Sequence, residues 1–285
     1  MASLSRISKP QYLYRPSQLV RRALLSRRGP EPVVQTPWGA RMLVARSDTI
    51  GGGIARMGVH ELAVSETIWR LSQGEELALD VGANIGYFTG LLACRAASVL
   101  ALEPNPRLLR FLAGNIERWE LAGRIRLDPR AASSGRGHAQ LHLPPAYDGN
   151  YGIATLEDSP GTVSYEVETV TLDELIAGRR VGVLKIDVEG HELAALEGAS
   201  ESLARGLIRD VVFEEHEPLP SPVSRALETH GFTITGIEET LTRPVLVSGR
   251  VPRGWDAPTY LATTDPQRTA RLMGPRGWRC LRGRR

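Results

Sequence analysis

Lysine is almost absent from this chain: of its 35 basic residues only Lys9 and Lys185 are lysine, and the rest are arginine. Cysteine is as scarce. Cys94 and Cys280 cannot make a disulfide framework and their spacing matches no metal motif, so a reducing cytoplasm is the expected compartment and no metal is expected. Cys94 lies in a helical pattern and reads as a small buried hydrophobe. No apolar run approaches the roughly 18–20 residues needed to span a bilayer, so no transmembrane segment is expected. The basic N-terminus lacks the apolar stretch of about 7–15 residues that a secretory signal carries. Aromatics are few and are not interleaved with the arginines, as a base-stacking platform requires.

What is present is an ordinary globular composition over 285 residues, enough for one enlarged α/β domain with extensions. The net charge of +3 is unevenly spread. Residues 1–30 and 266–285 each carry seven basic residues and no acid, which leaves the intervening body strongly acidic. Such ends can contact nucleic acid, anionic lipid or an acidic partner; the favoured reading is a solvated, partly disordered end. Trp278 alone is too little to make the C-terminal end a binding surface. The expected organisation is a basic leader over 1–32, with a short helix around Gln18–Ser26, an extension over 33–72 packing on the core, a main domain over 73–265 and a basic tail over 266–285. Gly51-Gly52-Gly53 lacks the Gly-Lys-Ser/Thr ending of a phosphate loop and reads as a flexible turn.

From residue 77 the pattern is regular. Leu77–Val81 is an apolar run ending in a glycine turn, as a buried parallel strand does. A helix from Tyr87, a strand over Ser98–Glu103 and a helix capped by Asn105, with Pro106 at its first position, follow. Strands are then expected at Arg124–Leu127, Ala139–Leu143, Val163–Val170, Val181–Val188, Ile208–Glu214, Phe232–Ile237 and Thr259–Thr263. Leu193, Leu196 and Leu203 mark one helix after Val188. This alternation implies a mostly parallel sheet wrapped on both faces, with an antiparallel hairpin at one edge.

The chemistry gathers at two strand ends. Asp80-Val81-Gly82-Ala83-Asn84-Ile85-Gly86 gives a turn whose glycines permit close backbone approach, ahead of a helix with free N–H groups. Glu103 ends the next strand, where a carboxylate can accept both hydroxyl hydrogens of a ribose. A dinucleotide fingerprint needs a second close-approach glycine for its pyrophosphate; Asn84 stands there instead, and an acid at Asp80 would repel a pyrophosphate. An ammonium-bearing tail suits Asp80, as in S-adenosylmethionine; Asp80 can equally hold the turn through backbone N–H groups. At the second strand end, Lys185-Ile186-Asp187-Val188-Glu189-Gly190-His191 puts Lys185 and Asp187 on one face. A charged pair in a buried strand is costly unless it is paired or functional. Asp187 is the first candidate for general base, His191 the second, with Lys185 as orienter. Glu189, Glu214 and His216 are candidate acceptor contacts, preferred over a metal site because no compact ligand set is present. The remaining histidines, His60 among them, read as surface or packing residues.

The segments Asp80–Thr89, Leu102-Glu103-Pro104-Asn105-Pro106, Asn150-Tyr151-Gly152, Thr171–Leu175 and Leu184–Glu192 resemble, in order and spacing, the FkbM-type methyltransferases over about residues 75–215. The resemblance implies the class I methyltransferase (Rossmann-like) fold, a doubly wound, mostly parallel seven-stranded sheet. It also implies methyl transfer from S-adenosylmethionine, usually to a hydroxyl of a small molecule or glycan. By matched position, Asp80, Gly82, Ala83, Asn84 and Gly86 would cradle the amino-acid end of the cofactor. Glu103 would bind its ribose, Asn105 would lie near the adenine, and Asp187 would stand where methyl group and acceptor meet. Two other readings stand beside it: a nucleic-acid methyltransferase using the basic ends, and a non-catalytic protein that keeps the cofactor fold. Leu143-Pro144-Pro145-Ala146-Tyr147 lacks the preceding Asp, Asn or Ser of an amino-methylating motif and reads as a loop.

Overall fold

The computed structural model describes residues 32–45, 49–74, 76–143, 163–253 and 257–282, with Pro10, Tyr14 and Leu156. The helix expected over 18–26, the Asn150-Tyr151-Gly152 segment and most of the 143–147 loop lie outside them. Strands β1 (Val33–Gln35) and β2 (Arg41–Leu43) form a small hairpin, followed by helices α1 (Thr49–Met57) and α2 (Leu62–Leu71). The main sheet begins with β3 (Leu77–Val81), whose five residues are all buried. Helix α3 (Tyr87–Ala93), strand β4 (Ser98–Leu102), helix α4 (Pro106–Glu117) and strand β5 (Ile125–Asp128) continue it.

A second, three-stranded sheet joins β6 (Ala131–Ala132), β7 (Gly137–Leu143) and β8 (Val163–Val170). The chain then passes through α5 (Leu172–Ile176) to β9 (Val181–Ile186), α6 (Glu192–Glu197), α7 (Ser200–Ala204), β10 (Ile208–Glu214) and α8 (Pro222–Thr229). Strands β11 (Thr233–Glu239), β12 (Pro244–Val247) and β13 (Thr259–Thr263) precede helix α9 (Pro266–Met273).

The main sheet runs β12-β11-β13-β10-β9-β3-β4-β5. Its five strands from β10 to β5 are parallel, and β13, β11 and β12 are joined antiparallel. The doubly wound class and the antiparallel edge are as expected; β12 adds one strand beyond the expected seven. The chain moves outward from β3 through β4 to β5, then returns to β9 on the other side of β3. The switch point is therefore at the carboxyl end of β3, where open α/β sheets bind ligands. Alternation divides the sheet's two faces. Ala78, Val183, Val212 and Leu261 pack toward α2 and α3, while Leu79, Leu184, Val211 and Phe213 pack toward α5–α8. Burial on both faces explains why β3 and β9 read as continuous apolar runs rather than alternating ones.

Three local expectations give way to tertiary contacts. The Gly51-Gly52-Gly53 cluster is inside α1, not a flexible turn. A Cβ at Gly51 would lie 2.3 Å from the Ala45 carbonyl oxygen, so close packing overrides glycine's poor helix propensity. The single helix expected after β9 breaks into α6 and α7 at Gly198, where a Cβ would lie 2.1 Å from the Ser133 carbonyl oxygen.

The basic tail is the third: most of it is folded rather than solvated. Trp278 and Cys280 are fully buried in the α2–α3 core. The Trp278 indole N–H donates to the Leu241 carbonyl (3.2 Å), and Cys280 N–H donates to Glu66 Oε2 (2.8 Å). Arg70 holds the segment from α2, donating to the carbonyls of Leu272, Pro275 and Gly277 while paired with Glu66 at 2.6 Å. Arg268 belongs to this framework too, donating to Asp210 (3.0 Å) and the Leu71 carbonyl (2.7 Å). Among the described residues no helix is long and apolar enough to cross a membrane.

Candidate active site

The turn after β3 is built from left-handed residues. Gly82, Asn84 and Gly86 have φ of 79°, 53° and 90°, a region that glycine, and to a lesser degree asparagine, tolerates. The N–H groups of Gly82 and Ala83 both donate to the Leu102 carbonyl at the end of β4, at 3.1 and 2.9 Å. Gly82 is also forced by proximity: a Cβ there would stand 1.8 Å from the Asp187 carbonyl oxygen. That closeness brings the ends of β3 and β9 together at the switch point.

Glu103 is fixed from two sides. One carboxylate oxygen accepts from Asn84 N–H and the other from Asn105 N–H, both at 2.8 Å. Burial pushes its pKa up to about 7, against the pull of the Asn105 and Asn84 N–H groups. Each oxygen keeps a lone-pair direction for a further donor. The Asn105 side chain caps α4, accepting from Arg107 N–H at 3.0 Å.

An open cleft lies at this edge, at the carboxyl ends of β3 and β4. Of the expected site residues, Gly82, Asn84, Glu103, Asp187, Glu189 and His191 line it. Ile50, Ala131, Leu141 and Leu156 supply apolar wall that sequence reasoning missed, because it comes from distant segments. Asp80, Ala83, Gly86 and Asn105 are not on the wall; they are buried behind it. His191 Nε2 and Ser133 Oγ are hydrogen-bonded at 3.1 Å.

Behind Asp187 lies a buried charge group. Lys185 Nζ is 3.1 Å from Asp187 Oδ2, 3.9 Å from Asp80 Oδ1 and 4.9 Å from the Phe88 ring centre. Burial would lower the lysine pKa, but the charges of Asp187, Asp80 and Glu61 outweigh it and keep the ammonium charged. Asp80 Oδ2 accepts from the Thr89 hydroxyl at 2.6 Å, whereas Oδ1 is buried without a hydrogen-bond partner among the described residues. Burial dominates there and raises the Asp80 pKa. A compact ammonium fills this slot between two carboxylates and a ring. A planar guanidinium would not, which accounts for a lysine in an arginine-rich chain.

Glu214 and His216, at the end of β10, pair with each other at 2.8 Å and stand outside the cleft wall. Burial raises the Glu214 pKa to about 8, helped by the charges of Asp187, Glu61 and Glu189. Glu61, which the sequence did not single out, caps α2 in a left-handed conformation (φ 41°) and pairs with His60 at 2.9 Å. His60 itself packs edge-on against Tyr87, in line with the packing reading of the sequence. Among the described residues, no group of three or more His, Cys, Asp or Glu side chains is placed to hold a metal ion.

A glycine turn at the switch point and an acid on the neighbouring strand end, lining one cleft, make a candidate adenosyl-cofactor site of the Rossmann-like class. Asn84 in the turn and Asp80 behind it leave no anion cradle for a pyrophosphate and favour S-adenosylmethionine. The profile of the family described as "Methyltransferase FkbM domain" matches residues 80–234. "Hexuronic acid methyltransferase AglP" of Haloferax volcanii is 29% identical over 199 residues, covering 68% of this chain and 72% of that protein. "Methyltransferase sdnD" of Sordaria araneosa is 28% identical over 191 residues, covering 55% of this chain and 73% of that protein. Methyltransferase FkbM from Methylobacillus flagellatus KT, a solved structure, aligns with a TM-score of 0.45 and 19% identity, over 66% of this chain and 44% of that one. The chain belongs to the FkbM methyltransferase family, and its methyl donor is S-adenosylmethionine.

Proposed function

We propose that the protein methylates a hydroxyl oxygen of a small molecule or sugar, with Asp187 receiving the hydroxyl proton. One observation carries this reading: Asp187 lines the same cleft as the glycine turn, its side chain is 34% exposed, and one oxygen is held by Lys185. A carboxylate so oriented can take a proton from an acceptor hydroxyl at hydrogen-bond distance. S-adenosylmethionine supplies a methyl group already made electrophilic by its sulfonium, so the chain's residues chiefly position and deprotonate. Gly82 and Asn84 bind the amino-acid end of the cofactor, with Ala83 and Gly86 shaping the turn, and Glu103 binds the ribose. Asn105 acts through Glu103 and the α4 cap. Lys185, backed by Asp80, orients Asp187; Glu189, Glu214 and His216 face the acceptor, and His191 is the second candidate base.

The name of the Haloferax volcanii relative supports a sugar acceptor. A nucleic-acid acceptor is disfavoured, because its phosphates would approach Asp187, Glu189 and Glu214. The test is transfer from methyl-labelled S-adenosylmethionine into a metabolite extract of the native cell, with products read by NMR. A methoxyl product is expected. Asp187→Asn should lower turnover at least about a hundredfold while S-adenosylhomocysteine affinity changes less than about threefold. An N- or C-methyl product, no product at all, or normal turnover of the variant would overturn the reading.

A further inference from the structure

Polar side chains continue along the carboxyl edge of the sheet beyond the cofactor cleft. Lys185 pairs in register with Val212 of β10, and Glu214 pairs with Thr259 of β13. Asp187, Glu214 and Thr259 therefore follow one another along the edge, on the face that α2 covers. Past Thr259 a second, shallow groove opens between the start of α2 and the β11–β13 edge. Glu61, Ile237, Glu239, Pro252, Ala257 and Thr259 are among its lining residues. Glu61 stands at the junction: it lines this groove, and its charge acts on both Lys185 and Glu214.

Acids outnumber bases along these strand ends. Asp187 and Glu189 line the cofactor cleft, Glu61 and Glu239 line the second groove, Glu214 stands between them in register, and buried Asp80 has an oxygen without a hydrogen-bond partner among the described residues. Three of the basic side chains here are already engaged. Lys185 is paired with Asp187, His60 with Glu61, and His216 with Glu214. Arg253 also lines the groove and is exposed; its backbone N–H donates to Glu238, whose carboxylate is paired with Arg250. The surrounding negative charge also contributes to the raised pKa of Glu214. An acceptor bearing a carboxylate or phosphate would enter against this field, whereas an ammonium would be drawn in and would favour ionised Glu214.

We infer that the groove between Glu61 and Thr259, with the strand-end carboxylates Asp187 and Glu214 beside it, is the acceptor subsite, and that it takes an amine-bearing hydroxyl compound of amino-sugar size, its ammonium facing Glu61 and Glu214. This rests on the O-methyltransferase reading and separates the chain's acceptor from the hexuronic acid in its relative's name. The test is a titration of the full chain, saturated with S-adenosylhomocysteine, with methyl glucosaminide, methyl glucoside and methyl glucuronide at pH 7, read by NMR. The glucosaminide is expected to bind at least tenfold tighter than the glucuronide, with the glucoside between. Glu61→Gln should shrink that ratio at least threefold with S-adenosylhomocysteine affinity unchanged; Glu214→Gln provides the same reading if Glu61→Gln does not fold. Ala257→Trp, which fills the groove, should weaken all three sugars. Equal or tighter glucuronide binding, a ratio indifferent to both glutamines, no effect of the tryptophan, or no binding of any sugar overturns the inference. Failure of S-adenosylhomocysteine itself to bind is a separate result, which removes the methyltransferase reading and this inference with it.

Discussion

Replacing Gly82 with alanine probes the joint on which the cleft depends. The backbone there is left-handed, which costs an L-residue about 1–2 kcal/mol. The added Cβ would also lie 1.8 Å from the Asp187 carbonyl oxygen, where ordinary contact begins near 3.4 Å. Because both partners are backbone, the ends of β3 and β9 must part by an ångström or more. That strains the 3.0 Å bond from Asp187 N–H to the Val81 carbonyl, worth about 1 kcal/mol net. Together these give a loss of about 2–4 kcal/mol and a fall in Tm of roughly 5–15 °C. Gly82 and Asp187 both line the cleft, so S-adenosylhomocysteine affinity, read by calorimetry, should fall about a hundredfold. Gly86→Ala should be milder. Its backbone is also left-handed, but its Cβ meets side chains, Leu112 at 2.6 Å and Trp119 at 3.1 Å, which can shift. Gly135→Ala, with no heavy atom within 4 Å of its Cβ, is the silent control. A Gly82→Ala protein with native Tm and native affinity would refute the close-approach argument.

Three further outcomes are expected. Lys185→Met leaves Asp80 and Asp187 without their cation and should destabilise the fold by about 3–5 kcal/mol in denaturant unfolding, with part of the loss recovered by adding Asp80→Asn. Glu103 has a folded pKa raised to about 7, so its contribution to stability is present below its ordinary value and is lost as pH rises through about 7. Ribose hydroxyls donate to the ionised form, so S-adenosylhomocysteine affinity should rise about tenfold from pH 6 to pH 8, and Glu103→Gln should bind weakly at both. Trp278→Ala should cost about 3–5 kcal/mol in thermal or denaturant unfolding, since the ring is fully buried; a loss under 1 kcal/mol would return the tail to the solvated state.

The features legible in the sequence were those set by local chemistry. The apolar runs of β3 and β9, the Asn105 cap with Pro106 after it and the left-handed glycine turn depend on neighbouring residues, and all appear where expected. Lysine's rarity makes Lys185 stand out in the sequence, and the fold places its ammonium between Asp80, Asp187 and the Phe88 ring. The features missed were set by contacts between distant segments. Trp278 looks like an isolated aromatic in a basic tail until Arg70 is seen gripping the carbonyls around it. Gly51 looks like a flexible link until Ala45 is found against it. Glu61 is an ordinary acid before a helix, and only the fold brings its charge to bear on Lys185 and Glu214. Asp80 reads equally as a cofactor ligand or a brace, and only the fold shows it buried against Thr89 and Lys185.

The central claim is that the turn after β3 and the carboxylate ending β4 hold the methyl donor. A crystal structure of the full chain with S-adenosylhomocysteine tests it most directly. The product should lie in the cleft, with its ribose hydroxyls on Glu103, its amino-acid end on Gly82 and Asn84, and its sulfur turned toward Asp187. Density at any other surface, or a ribose that leaves Glu103 untouched, would contradict the account.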